Sequence, residues 1–173
     1  RKSYKDLLEG ARVVANYLRN RGLQRGDRVL ILLLTSTQFT DAFFGTLLAG
    51  GVPVPASLPM TFGDITKYLI NLKHILQNSE ARFILTFSKV RAVIGNVLVG
   101  ENNLKELILA EDITNELPIH RGFPSIDTSD PALFQYTSGT TSLPKGVVLT
   151  HQAILSNVYG IVHSIGGTPA DVG

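Results

Sequence analysis

The amino-acid sequence predicts a three-layer α/β fold, a mostly parallel sheet flanked by helices. Three observations carry this. Residues 28–34 form a near-continuous apolar run, the pattern of a strand buried on both faces. Four stretches, 3–21, 38–49, 64–79 and 151–165, repeat apolar residues at helical spacing. Strand signals at 28–34, 82–86, 104–109 and 132–137 alternate with these helices, the order that parallel crossovers require.

In the first helix, Leu7, Leu8, Ala11, Val14, Ala15 and Leu18 form the apolar stripe. Ser3 is its expected N-cap, Asp6 lies in the first turn where negative charge is favoured, and Gly22 follows its end. Gly26-Asp27 turns the chain into the first strand. Thr35-Ser36-Thr37 can cap the second helix, which Gly50-Gly51 stops. Val52-Pro53-Val54-Pro55 is extended but cannot sit centrally in a sheet, because each proline lacks a donor. Asp64 caps the third helix, with Ile65, Tyr68, Leu69, Leu72, Ile75 and Leu76 on one face. His74 falls at the edge of that face and reads as a solvent-edge residue rather than a ligand. After the strand at 82–86, residues 89–98 read as a short helix. Glu111-Asp112 reads as a solvated acidic turn, since adjacent side chains point apart. Thr150 caps the last helix, whose stripe Ile154, Leu155, Val158, Ile161, Val162 and Ile165 is expected to be buried. His151 and His163 are too far apart to form a metal pair.

Composition narrows the classes. Of 173 residues, 44% are hydrophobic and 17% charged, enough apolar content for a core and little charge for a free-standing surface. Some of the surface is therefore expected to meet more protein. The net charge of +2, without a basic cluster, argues against nucleic acid. The chain has no cysteine, which excludes disulfides and thiolate chemistry. No apolar run reaches the ~18 residues of a membrane span, and no signal peptide opens the chain. The expected location is cytoplasmic.

The chemistry-bearing stretch is 136–151, Tyr-Thr-Ser-Gly-Thr-Thr-Ser-Leu-Pro-Lys-Gly-Val-Val-Leu-Thr-His. It reads as strand, small-residue loop, strand. Hydroxyls and backbone N–H groups can donate to phosphate oxygens, and Lys145 supplies positive charge. Gly139 and Gly146 are expected to let the backbone approach a ligand at positive φ. The spacing is not that of the P-loop, which needs Gly, four residues, then Gly-Lys-Ser/Thr. Composition alone favours a ligand-free loop between strands.

The pattern Thr-Ser-Gly-Thr-Thr-x-x-Pro-Lys-Gly-Val resembles the phosphate-binding signature of the adenylate-forming (AMP-binding) superfamily, which includes acyl-CoA synthetases, fatty acyl-AMP ligases and nonribosomal peptide adenylation domains. The stretches around Gly26-Asp27-Arg28-Val29 and Ala49 to Pro55 resemble the amino-terminal part of the same enzymes. Pro53 to Pro59, with Tyr68 to Leu76, looks most like fatty acyl-AMP ligases and long-chain acyl-CoA synthetases. One position departs: Ser142 stands where the family usually has Gly, at a cost on the order of 1 kcal/mol if that position needs positive φ.

The resemblance implies that residues 1–173 are part of the amino-terminal domain of a longer enzyme, ending just after the loop at 137–146 and its following helix. It implies ATP phosphate binding by Thr137, Ser138, Gly139, Thr140, Thr141 and Lys145, and assigns no catalytic residue within this stretch. It further implies ATP and Mg²⁺ as cofactors and a fatty or other carboxylic acid as substrate. The product would be an acyl-adenylate, passed to coenzyme A or to the phosphopantetheine of an acyl carrier protein. The remainder of the same enzyme is an expected partner. The family's adenine, ribose, metal and carboxy-terminal lysine elements have no counterpart here, so these residues alone are expected to be inactive. Three alternatives stand beside this reading: a non-catalytic nucleotide-binding module, a structural α/β domain whose loop has lost function, and an adenylation domain of a nonribosomal peptide or polyketide synthase.

Overall fold

The computed structural model describes residues 2–58, 65–114, 122–137 and 143–168. Its elements follow in the order α1 (Tyr4–Asn20), β1 (Arg28–Ile31), α2 (Thr37–Leu48), β2 (Val52–Pro55), α3 (Ile65–Ser79), β3 (Phe83–Thr86), α4 (Ser88–Ile94), β4 (Glu106–Leu109), β5 (Pro131–Thr137), β6 (Lys145–Thr150) and α5 (His151–Ser164). A 3₁₀ turn, Gly95–Leu98, extends α4. The first four strands form one parallel sheet in the order β2-β1-β3-β4.

The alternation along β1 explains the layers. Val29, Ile31 and Leu33 enter one core with Phe83, Leu85 and Ile108, covered by Val14, Ala15, Tyr17 and Leu18 of α1 and by Ala42 of α2. Leu30 and Leu32 enter the other with Val54 and Ile84, covered by Leu72, Ile75 and Leu76 of α3 and Ile94 of α4. A strand that feeds two cores has no polar face, which is why its sequence is a continuous apolar run. Helix α1 starts at the expected cap: Asp6 N–H donates to Ser3 Oγ, and Ser3 N–H donates back to the Asp6 carboxylate. Helices α1 and α2 pack closely at Gly45, where an added Cβ would lie 2.5 Å from Val14 Cβ. The foot of the sheet is tied by Arg82, whose Nη1 donates to both carboxylate oxygens of the buried Asp27 at 3.0 Å.

Strand β2 lies at the sheet edge, as its prolines require. Val52 N–H donates to Asp27 O and Ala56 N–H to Ile31 O, so the even-numbered amides of this strand face β1. The alternation of strand amides then turns positions 53 and 55 to the outer side, and both are proline. The outer edge of β2 therefore has carbonyls but no donors.

This corrects one expectation. Residues 132–137 do not extend the parallel sheet. Strand β5 packs beside β2, but its ladder is antiparallel with β6, in a separate two-stranded sheet. An edge without donors offers β5 only acceptors, whereas β6 offers both donors and acceptors. The hairpin is fastened to the larger unit through Phe134 and Tyr136, packed against the second core, and through the Arg25–Asp130 ion pair at 2.6 Å.

A second correction concerns α5. Thr150 caps it as expected, accepting from Ala153 N–H at 3.2 Å. Its apolar stripe, however, is not buried: no residue of the helix is. Ile161 is 54% exposed and Ile165, at its C-cap, 75%. The helix contacts β5 and β6 but contributes to neither core, so among the described residues the stripe has no layer against it. Asp64, the expected cap of α3, lies outside the described residues.

Candidate functional site

The hairpin brings together two of the six residues singled out for phosphate binding. Thr137 and Lys145 are directly opposite on its last rung, and the Thr137 hydroxyl donates to Lys145 O at 3.4 Å. Directly opposed strand residues point to the same face. A hydroxyl and an ammonium thus stand side by side where the chain leaves β5 and re-enters β6. Both are exposed, and Lys145 has no ion pair among the described residues. A cation without an internal carboxylate is available to an external anion. Ser138, Gly139, Thr140 and Thr141 lie outside the described residues, as does Ser142.

Gly146 is a glycine for a different reason from the one its sequence context implies. Its φ is not positive. It faces Tyr136 across the ladder, and a Cβ there would come within 2.9 Å of Tyr136 Cζ. The missing side chain is what lets the tyrosine ring lie across the hairpin.

That ring reaches α3. Tyr136 Oη–H donates to Asn78 Oδ1 at 2.6 Å, and burial raises the Tyr136 pKa. On the same helix, His74 Nε2 lies 3.0 Å from Pro144 O. A carbonyl only accepts, so Nε2 carries the proton. His74 is therefore half-buried and bonded to the hairpin, not a free residue at the solvent edge. No residue of its own helix announces this partner, which is 70 positions away. Beside these contacts is a cleft of about 190 Å³, lined by Ser57, Tyr68, Asn71, Gln135, Thr137 and Pro144 among others. The Tyr68 hydroxyl is buried and has no hydrogen-bond partner among the described residues, and burial pushes its pKa up to about 12.

The acidic residues take structural roles. The Glu111 carboxylate accepts from Ser88 N–H and Oγ–H at the start of α4, and its own backbone N–H, followed by these Ser88 contacts, holds its pKa below the ordinary carboxylate range. Asp127 and Asp130 accept backbone N–H bonds within their own turn. Among the described residues, no group of three or more His, Asp or Glu could hold a metal ion, and no helix is long and apolar enough to cross a membrane.

A parallel sheet between two helical layers, joined to an antiparallel hairpin with an exposed lysine on its last described rung, defines an α/β protein of composite architecture. Residues 1–172 match the model of the AMP-binding enzyme family, and the chain belongs to that family. It is 35% identical over 169 residues to the medium-chain-fatty-acid–[acyl-carrier-protein] ligase JamA of Moorena producens, covering 96% of this chain and 28% of that relative. Among solved structures, a fatty acyl-adenylate ligase from a study of the E. coli and L. pneumophila enzymes matches with a TM-score of 0.82 and 29% identity, covering 98% of this chain and 30% of that one. ATP-bound MatB from Rhodopseudomonas palustris matches with a TM-score of 0.82 and 28% identity, covering 98% of this chain and 34% of that one. The chain thus spans about a third or less of the length of these proteins.

Proposed function

We propose that residues 1–173 form part of the amino-terminal domain of an ATP-dependent acid-activating ligase, which makes an acyl-adenylate from a carboxylic acid. The acid is a fatty acid, and the acyl group passes to a thiol, that of coenzyme A or of carrier-protein phosphopantetheine. The observation that carries this reading is the last rung of the hairpin, where Thr137 faces Lys145 at the two stems of the hydroxyl-rich segment. Names of relatives support the acid class: one is a ligase of medium-chain fatty acids, another a long-chain-fatty-acid–CoA ligase of Bacillus subtilis.

The chemistry explains the residue types. A carboxylate must attack a phosphate that is itself negative, and pyrophosphate must leave. Donors and a cation already in place stabilise that charge with little reorganisation. In this reading Thr137, Ser138, Gly139, Thr140, Thr141 and Lys145 hold the triphosphate. The described residues offer no acidic cluster for Mg²⁺, which would be held by the nucleotide and by other parts of the enzyme. The remainder of the enzyme covers the apolar face of β6 and α5, where Val148 is 51% and Leu155 60% exposed. Residues 1–173 alone are inactive, and the full protein works in the cytoplasm.

The test is acid-dependent ATP–pyrophosphate exchange by the full-length protein with a panel of fatty acids. Exchange that depends on acid and falls in Lys145→Ala supports the reading. Exchange unchanged in Lys145→Ala removes Lys145 from the phosphate site.

A further inference from the structure

Helix α3 touches both stems of the hairpin with two residues one turn apart. His74 donates to Pro144 O at 3.0 Å, and Asn78 accepts from Tyr136 Oη at 2.6 Å. Positions four apart share one helix face. Pro144 precedes Lys145, and Tyr136 precedes Thr137. The carbonyl of Pro144 belongs to the planar peptide that contains the Lys145 nitrogen. Fixing that oxygen fixes the plane from which the lysine departs. The second bond acts on the other stem, through a ring that lies over Gly146 on the far side of Lys145.

The strut has a firm base. Leu72, Ile75 and Leu76 of α3 are buried in the second core, and Pro144 is itself buried. The hairpin does not need these two bonds to keep its own register, which the ladder from Leu133–Leu149 to Thr137–Lys145 sets. What they add is orientation relative to the parallel sheet. A lysine on an untethered hairpin would have to be ordered when its anion binds, and that ordering subtracts from affinity.

We propose that His74 and Asn78 are positioning residues: α3 uses them to hold the two hairpin stems so that Lys145 and Thr137 are pre-set towards bound phosphate. This rests on the phosphate role of Lys145 proposed above.

The experiment is a double-mutant cycle in the full-length protein, with the KM for ATP in pyrophosphate exchange as one readout. Amide hydrogen exchange of residues 143–147 in the nucleotide-free protein is the second. His74→Leu removes the donor, His74→Gln restores an N–H of similar reach, and Tyr136→Phe removes a single hydroxyl without disturbing α3. His74→Leu and Tyr136→Phe should each raise KM roughly 3- to 10-fold, the effect of one lost hydrogen bond. Both should speed exchange at 143–147, and His74→Gln should recover most of the loss. In a Lys145→Ala background the same changes should have little further effect on KM, because they act through the lysine. Equal effects with and without Lys145, or unchanged exchange at 143–147, would overturn the strut. Should His74→Leu fail to fold, Tyr136→Phe decides by the same criteria. The reading it rests on fails differently: Lys145→Ala alone would then leave KM and exchange activity unaltered.

Discussion

Strands β1 and β6 are both short apolar runs, and they meet opposite fates. Val29, Leu30 and Ile31 are fully buried, while Val147 and Val148 are 45% and 51% exposed. The helices differ in the same way: α1 buries Ala11, Val14, Ala15, Tyr17 and Leu18, and α5 buries nothing. An apolar pattern fixes what kind of element forms and which face needs cover. It does not supply the cover. In the parallel unit each face of the sheet has a helical layer within these residues. Strand β6 and helix α5 leave the same chemistry exposed.

The sharpest way to break this comparison is to truncate one apolar side chain in each unit. Phe83→Ala should destabilise the protein by about 3–5 kcal/mol in urea unfolding, the usual loss for a buried aromatic side chain. In these 173 residues Val148→Ala should stay within about 0.5 kcal/mol. Comparable losses would mean that the hairpin belongs to the core after all. In the full-length protein, Val148→Ala should cost more if the face is covered there.

The functional counterpart comes next in size. Lys145→Ala in the full-length protein should weaken productive ATP engagement by about 1.5–3 kcal/mol, the range for hydrogen bonds to charged groups. Lys145→Arg should recover only part, because a planar fork does not replace a compact ammonium on a flexible stem. Neither change should move the unfolding midpoint, since Lys145 is exposed and without an internal ion pair among the described residues. A midpoint shift would assign the lysine to the hairpin's own stability.

At the other end of the molecule, Ser3→Ala removes the oxygen that caps α1 and should cost about 1 kcal/mol by thermal or urea unfolding. A loss well below that would mean α1 is held almost wholly by its buried stripe.

The smallest effect expected is in acid. Backbone N–H bonds from Ser129 and Asp127, and for Asp130 the Arg25 guanidinium as well, hold Asp127 and Asp130 below the ordinary carboxylate pKa. Their folded pKa values are lower than in the unfolded chain. Their contribution is therefore complete above the ordinary carboxylate pKa near 4, and it is lost as pH falls through the depressed values. Amide exchange around 127–130 should rise in that window while Val29–Ile31 stays protected. Uniform exposure of both units would mean that the hairpin does not loosen on its own.

Which parts of this were legible in sequence follows from the range of the forces involved. The Ser3–Asp6 box is a contact between residues three apart, so four letters sufficed. The edge position of β2 was legible because proline excludes the alternative. Strand β5 was recognised as a strand but placed in the wrong sheet. Pairing partners are chosen by unmatched donors and acceptors across the fold, and the missing donors of Pro53 and Pro55 bear on β5 from some 80 residues away. Thr137 and Lys145 are singled out by the motif resemblance alone, and the structure adds that they face each other. His74 and Asn78 were not legible, since their partners are 70 and 58 residues distant. An i, i+4 pair of polar residues beside the α3 stripe was the available signal, and it does not name a partner.

The outer edge of β2 has one more consequence, in the history of the chain rather than in its final state. Synthesis delivers β1, β2, β3 and β4 before β5 and β6 exist. An open strand edge at that stage is a template on which neighbouring chains can add, and parallel sheets leave such edges exposed for longer because their contacts are non-local. Pro53 and Pro55 withdraw the donors that an incoming strand would need. The growing protein carries its own safeguard against edge-to-edge aggregation until the hairpin arrives to cover that flank.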